Sequence, residues 1–86
     1  PYLEVTFRHG RLLAAYYYLP RDADVQSVRS RRAQSGLIVD YSAAGTPIGI
    51  EITAPSQTTL EAFNALLGEL GMDALGRADF APLHAA

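Results

Sequence analysis

Apolar and polar side chains alternate along most of the chain up to Thr53, and the spacing turns helical after Pro55. Leu3, Val5 and Phe7 alternate with Tyr2, Glu4, Thr6 and Arg8, the pattern of a half-buried strand. A second apolar run spans Leu12 to Leu19 and stops at Pro20, which has no N–H to give to a ladder. A two-residue turn at His9-Gly10 pairs Phe7 with Leu12, Val5 with Ala14 and Leu3 with Tyr16. That register sends Tyr16 and Tyr18 to the buried face and Tyr17 to the outer face.

Val25 to Arg32 predicts a weaker strand, because Val25 and Val28 do not share a strand face and a bulge or a short edge strand is needed. The clearest hairpin follows. Leu37, Val39 and Tyr41 alternate with Ile38 and Asp40, the chain turns at Ala44-Gly45, and Ile48, Ile50 and Ile52 alternate with Gly49, Glu51 and Thr53. Burial on one face then sets Val39 opposite Ile50, Leu37 opposite Ile52 and Tyr41 opposite Ile48. Beyond Pro55, Leu60, Phe63, Leu66, Leu67 and Leu70 fall at helical spacing. Thr58 with Glu61 reads as the capping box and Gly71 as the C-terminal stop.

The expected fold is therefore α+β, an antiparallel meander sheet of about five strands with one C-terminal helix packed on one face. Strands in sequence without intervening helices favour antiparallel neighbours. The 86 residues make one domain, with the core at about 2–71. In the tail, 72–86, Leu75, Phe80 and Leu83 offer some packing, and His84-Ala85-Ala86 is expected to fray.

Composition adds three constraints. Nearly half the chain is hydrophobic, which excludes a disordered tail. No apolar run approaches the roughly 20 residues a membrane-spanning helix needs. A chain this small has a stability margin of roughly a few kcal/mol, and it contains no cysteine and no recognisable metal cage. Oligomerisation is the remaining staple, so a homodimer is expected. The absence of cysteine fits a reducing, cytoplasmic setting. The chain begins at Pro1 rather than Met, which leaves room for a segment removed upstream.

The stretch 36–52, GLIVDYSAAGTPIGIEI, resembles the signature of DUF2283, a prokaryotic family of small proteins of unknown function. Val39, Asp40 and Tyr41 precede the turn of that signature, and Gly49, Ile50, Glu51 and Ile52 follow it. Ala14 to Leu19 resembles the family's upstream apolar-aromatic strand. The resemblance covers roughly residues 5 to 55. It departs at Arg8-His9-Gly10-Arg11, where relatives carry an acidic turn, and in the longer helix from Ser56. It implies a compact α+β domain, no established activity, and an antitoxin-like role beside a protein encoded by an adjacent gene.

Three groups of residues carry candidate chemistry. Asp40 opposite Gly49 and Glu51 opposite Ile38 are diagonal neighbours, roughly 7–8 Å apart at Cα. Two such carboxylates could share a cation or work as acid and base. The plainer alternatives are that they keep the sheet soluble, and that Gly49 admits a partner or a neighbouring strand. Arg29, Arg31 and Arg32 could meet phosphate, but the net charge of −2 argues against nucleic acid, and protection of an edge strand is the favoured role. Tyr17, with Tyr2, could anchor a partner on the outer face, or pack with its hydroxyl at the rim. His9 and His84 lack an orienting partner or a metal-binding spacing, and no serine sits in a nucleophile motif.

The expected function is thus a non-enzymatic protein-interaction module, homo-oligomeric, without catalytic residues, metal or cofactor. The alternatives are a metal-binding protein or small enzyme using Asp40 and Glu51, and a nucleic-acid-binding regulator using Arg29, Arg31 and Arg32.

Overall fold

The computed structural model describes residues 2–22, 24–34 and 36–84. The expected fraying of Ala85 and Ala86 lies outside the described residues. Strands run over Tyr2–Arg8 (β1), Arg11–Tyr18 (β2), Arg29–Gln34 (β3), Leu37–Tyr41 (β4) and Pro47–Ile52 (β5), and helices over Leu60–Glu69 (α1) and Arg77–Phe80 (α2). Single 3₁₀ turns occupy Pro55–Gln57 and Ala81–His84. Among the described residues, no helix is long and apolar enough to cross a membrane.

The five strands form one antiparallel sheet in the order β1-β2-β5-β4-β3. This corrects the simple meander. The connection after β2 carries the chain to the far edge, and β5 returns to pair with β2. Composition explains the order. β2 is apolar on both sides and belongs inside the sheet, whereas the arginine-rich β3 tolerates an edge. The carboxyl-terminal part is also richer than one helix. Asn64 of α1 grips the tail through both amide atoms, donating to the Leu75 carbonyl at 3.1 Å and accepting from its N–H at 2.8 Å. The tail then folds back through α2 and brings Phe80 and Leu83 into the core.

That core is one cluster. Ala15, Tyr17, Leu37, Val39, Ile50 and Ile52 of the sheet meet Phe63, Leu66, Leu67, Phe80 and Leu83 of the helical layer. The β4–β5 register is the expected one from Leu37↔Ile52 to Asp40↔Gly49, and an irregularity beyond Asp40 then sets Tyr41 opposite Pro47 instead of Ile48. The β1–β2 register departs from expectation in an informative way. Phe7 pairs with Leu12 around a turn in which His9 and Gly10 both have positive φ, as a two-residue hairpin turn of this hand requires. A bulge at Leu13 then shifts the pairing by one, to Val5↔Ala15 and Leu3↔Tyr17. Tyr17 therefore points inward, and Tyr16 and Tyr18 point outward.

α1 starts one residue later than the capping box suggests. Thr59 is the N-cap and accepts from the Ala62 N–H at 3.1 Å, while the hydroxyl of buried Thr58 donates to the Ala54 carbonyl at 2.9 Å. The helix closes with Met72 N–H donating to Leu67 and Gly71 N–H to Gly68, the paired bonds of a Schellman end.

Candidate functional site on the outer sheet face

Alternation and register lay two rows of side chains across the face away from the helices. One row runs Tyr2, Tyr18, Gly49, Asp40, Ser30, and the next runs Glu4, Tyr16, Glu51, Ile38, Arg32. Tyr16 does not stay in its row. Its ring lies across Gly49, where a Cβ would overlap the phenol, and its hydroxyl donates to Asp40 Oδ2 at 2.8 Å. Ser30 Oγ donates to the other oxygen, Oδ1, at 2.6 Å. Asp40 is only 5% exposed, so this polar group is buried with both oxygens bonded. Side chains from β2, β3 and β4 are thereby fastened together over a glycine of β5.

Glu51 is the diagonal neighbour expected from the hairpin. Hydrogen bonding toward Asp40, then burial, then the Asp40 charge hold its pKa above the usual carboxylate range. A carboxyl beside another carboxylate gives up its proton less readily. Burial and then the bond to Asp40 also raise the Tyr16 phenol, which keeps its proton to donate.

This coupling has a pH signature. The folded state raises the Glu51 pKa, so it holds a proton that the unfolded chain releases. Stability from this group is fully present below the ordinary glutamate range and is lost as pH rises through the raised value. Subtracting the Tm-versus-pH curve of Glu51→Gln from that of the wild type isolates this group from the other carboxylates. The difference should run against the wild type as pH climbs out of the ordinary carboxylate range, and a flat difference would refute the raised Glu51 pKa.

The aromatic residues divide differently from the sequence expectation. Tyr17, expected on the outer face as a candidate anchor, is instead turned inward, 6% exposed, and packs at a steep angle to Phe63, with ring centroids 5.4 Å apart. The outer aromatics are Tyr2 and Tyr18, stacked at 4.3 Å, with Tyr16 tilted against Tyr18 at 4.7 Å. Tyr18 donates to Glu4 at 3.2 Å, and the Arg21 guanidinium lies 5.1 Å above its ring. Tyr2 remains 59% exposed. The missed signal is the run of four apolar residues at 12–15, in which alternation has no unique phase.

The arginines of β3 do not form one patch. Arg32 belongs to the outer face. Arg29 and Arg31 gather on Tyr41 instead, with their guanidiniums 5.7 and 5.9 Å from its ring, and Arg31 donates twice to its hydroxyl, at 3.2 and 3.1 Å. His84 Nε2 donates to the Thr58 carbonyl at 2.8 Å and its ring makes a T-shaped pair with Phe80, which makes it a clasp for the tail. His9 is an exposed turn residue. Among the described residues, no three His, Cys, Asp or Glu side chains gather as a metal-holding group. Comparison with protein-family models, curated proteins and solved structures gave no match.

Proposed function

We propose that this chain is a non-enzymatic protein-interaction module whose contact surface is the tyrosine-bearing side of the sheet. The observation that carries the proposal is the enclosure of Asp40. A carboxylate that binds a cation or acts as a base must face the space a ligand enters. Asp40 is buried, both of its oxygens accept from hydroxyls of the same chain, and the Tyr16 ring lies over the neighbouring Gly49. Asp40 fastens strands. Beside it, the stacked Tyr2 and Tyr18 offer flat aromatic area with polar tips, a surface type enriched where proteins meet. The resemblance to DUF2283 fits a partner encoded by an adjacent gene in an antitoxin-like arrangement. The split of Arg29 and Arg31 from Arg32 weighs against a nucleic-acid surface.

Thermal melting with magnesium, manganese, calcium or zinc separates this function from a metal site. A ligand that binds only the folded state raises Tm. The expected curves coincide with the metal-free one, and a reproducible rise that Asp40→Asn abolishes would overturn the proposal. Affinity capture with wild-type protein and with Tyr2→Ser/Tyr18→Ser completes the test. The doubly substituted chain should keep the wild-type fold and lose the bound partner, while equal capture by both would count against this surface.

A further inference from the structure

We infer that the free edge of β1 pairs with β1 of a second copy, antiparallel and two-fold symmetric about Val5, to join two sheets into one. The inference rests on the reading of the protein as an interaction module and names one partner, the chain itself. The two edges of the sheet are β1 and β3. An exposed edge presents unpaired N–H and C=O groups to any strand that fits it.

β1 fits itself. Symmetry about Val5 places Tyr2 opposite Arg8 of the second copy, Leu3 opposite Phe7, Glu4 opposite Thr6 and Val5 opposite Val5, so all seven residues of the strand are paired. The apolar members share one face. Leu3 and Val5 already lean on the core, whereas Phe7 is left 49% exposed. Pairing would set each Phe7 against a Leu3 and continue the core across the junction. On the other face, Glu4 becomes diagonal to Arg8, an attractive pair formed twice against a single diagonal pair of the two Glu4 carboxylates, and Tyr2 meets an arginine, as Tyr18 meets Arg21 within the chain. An isologous contact of this kind closes at two copies.

β3 does not fit itself. Arg29, Arg31 and Arg32 lie within its six residues, so an antiparallel copy in full overlap opposes arginine to arginine. Like charges directly opposite destabilise a strand pair. The molecule thus has one guarded edge and one open edge.

Light scattering and sedimentation equilibrium test the inference on the intact chain. The expected mass is twice 9.3 kDa. Thr6 is exposed and faces Glu4 across the proposed junction, which allows paired variants with opposite expected effects. Thr6→Glu should weaken the dimer by about ten-fold, through two symmetric like-charge contacts, and Thr6→Lys should tighten it, with both variants folded by circular dichroism. A monomeric wild type, a dimer indifferent to both variants, or a mass series beyond the dimer would overturn it. None of these outcomes touches the cation and capture tests, so this junction and the proposed function fail separately.

Discussion

Gly49→Ala should destabilise the protein by about 2 kcal/mol, although alanine is ordinarily the better strand residue of the two. The added methyl occupies the space of the Tyr16 phenol. A backbone atom of β5 cannot retreat, because β5 is paired on one side with β2 and on the other with β4. The tyrosine must swing away, and its bond to Asp40 goes with it. Asp40 then sits in a 5% exposed position with one of its two hydroxyl donors lost. Leaving a buried charged group short of a partner costs about 1–3 kcal/mol. For a chain of this length, a loss of about 2 kcal/mol corresponds to a Tm lower by roughly 8–16 °C. Scanning calorimetry would show it, and a Tm within a degree or two of wild type would mean that the ring does not need the glycine.

Phe63→Ala should be the most damaging single substitution in the helical layer. Phe63 is fully buried, makes a T-shaped pair with Tyr17 and has its ring centroid 5.5 Å from that of Phe80, so it joins the sheet, α1 and the folded-back tail. Truncating a buried phenylalanine costs about 3–5 kcal/mol, transfer and cavity together. That is close to the whole margin of roughly 3–5 kcal/mol that a single core of this size supplies. Urea titration followed by circular dichroism should show a chain with little or no folded baseline at 25 °C. A cooperative transition with its midpoint near the wild-type value would place the core elsewhere.

The two hairpins show what alternation along the chain can and cannot fix. In β4 and β5, the inward Leu37, Val39, Ile50 and Ile52 are branched aliphatics, and Asp40, Gly49 and Glu51 lie outward with Ile38 the apolar exception, so one register alone buries the set. Asp40 opposite Gly49 and Glu51 opposite Ile38 follow from it and were legible. In β2, Leu12, Leu13, Ala14 and Ala15 are all apolar, so the bulge at Leu13 leaves no mark on the pattern. It nevertheless inverts every tyrosine beyond it, which is why Tyr17 is found inside.

The partners of Asp40 were hidden for the same reason and for one more. Tyr16 comes from β2, beside β5 only because the strand order departs from a meander, and Ser30 comes from β3, 10 residues upstream of Asp40. A glycine in a strand pointed to a close approach, and the approaching group proves to be the chain's own phenol. At α1, Thr58 and Thr59 are equally good caps on paper. The burial of Thr58 and its bond to Ala54 leave the capping role to Thr59.

The clasp of Tyr16 over Gly49 onto Asp40 is the feature on which the proposed non-catalytic role of the outer face depends. A double-mutant cycle tests it directly, with unfolding free energies measured for wild type, Gly49→Ala, Tyr16→Ala and the double variant. With the ring gone, the methyl has nothing to strike, so Gly49→Ala in the Tyr16→Ala background should be neutral or mildly stabilising, opposite in sign to its effect in the wild type. Equal costs in the two backgrounds would mean that Tyr16 does not cover Gly49, and would return Asp40 to the set of residues open to a ligand.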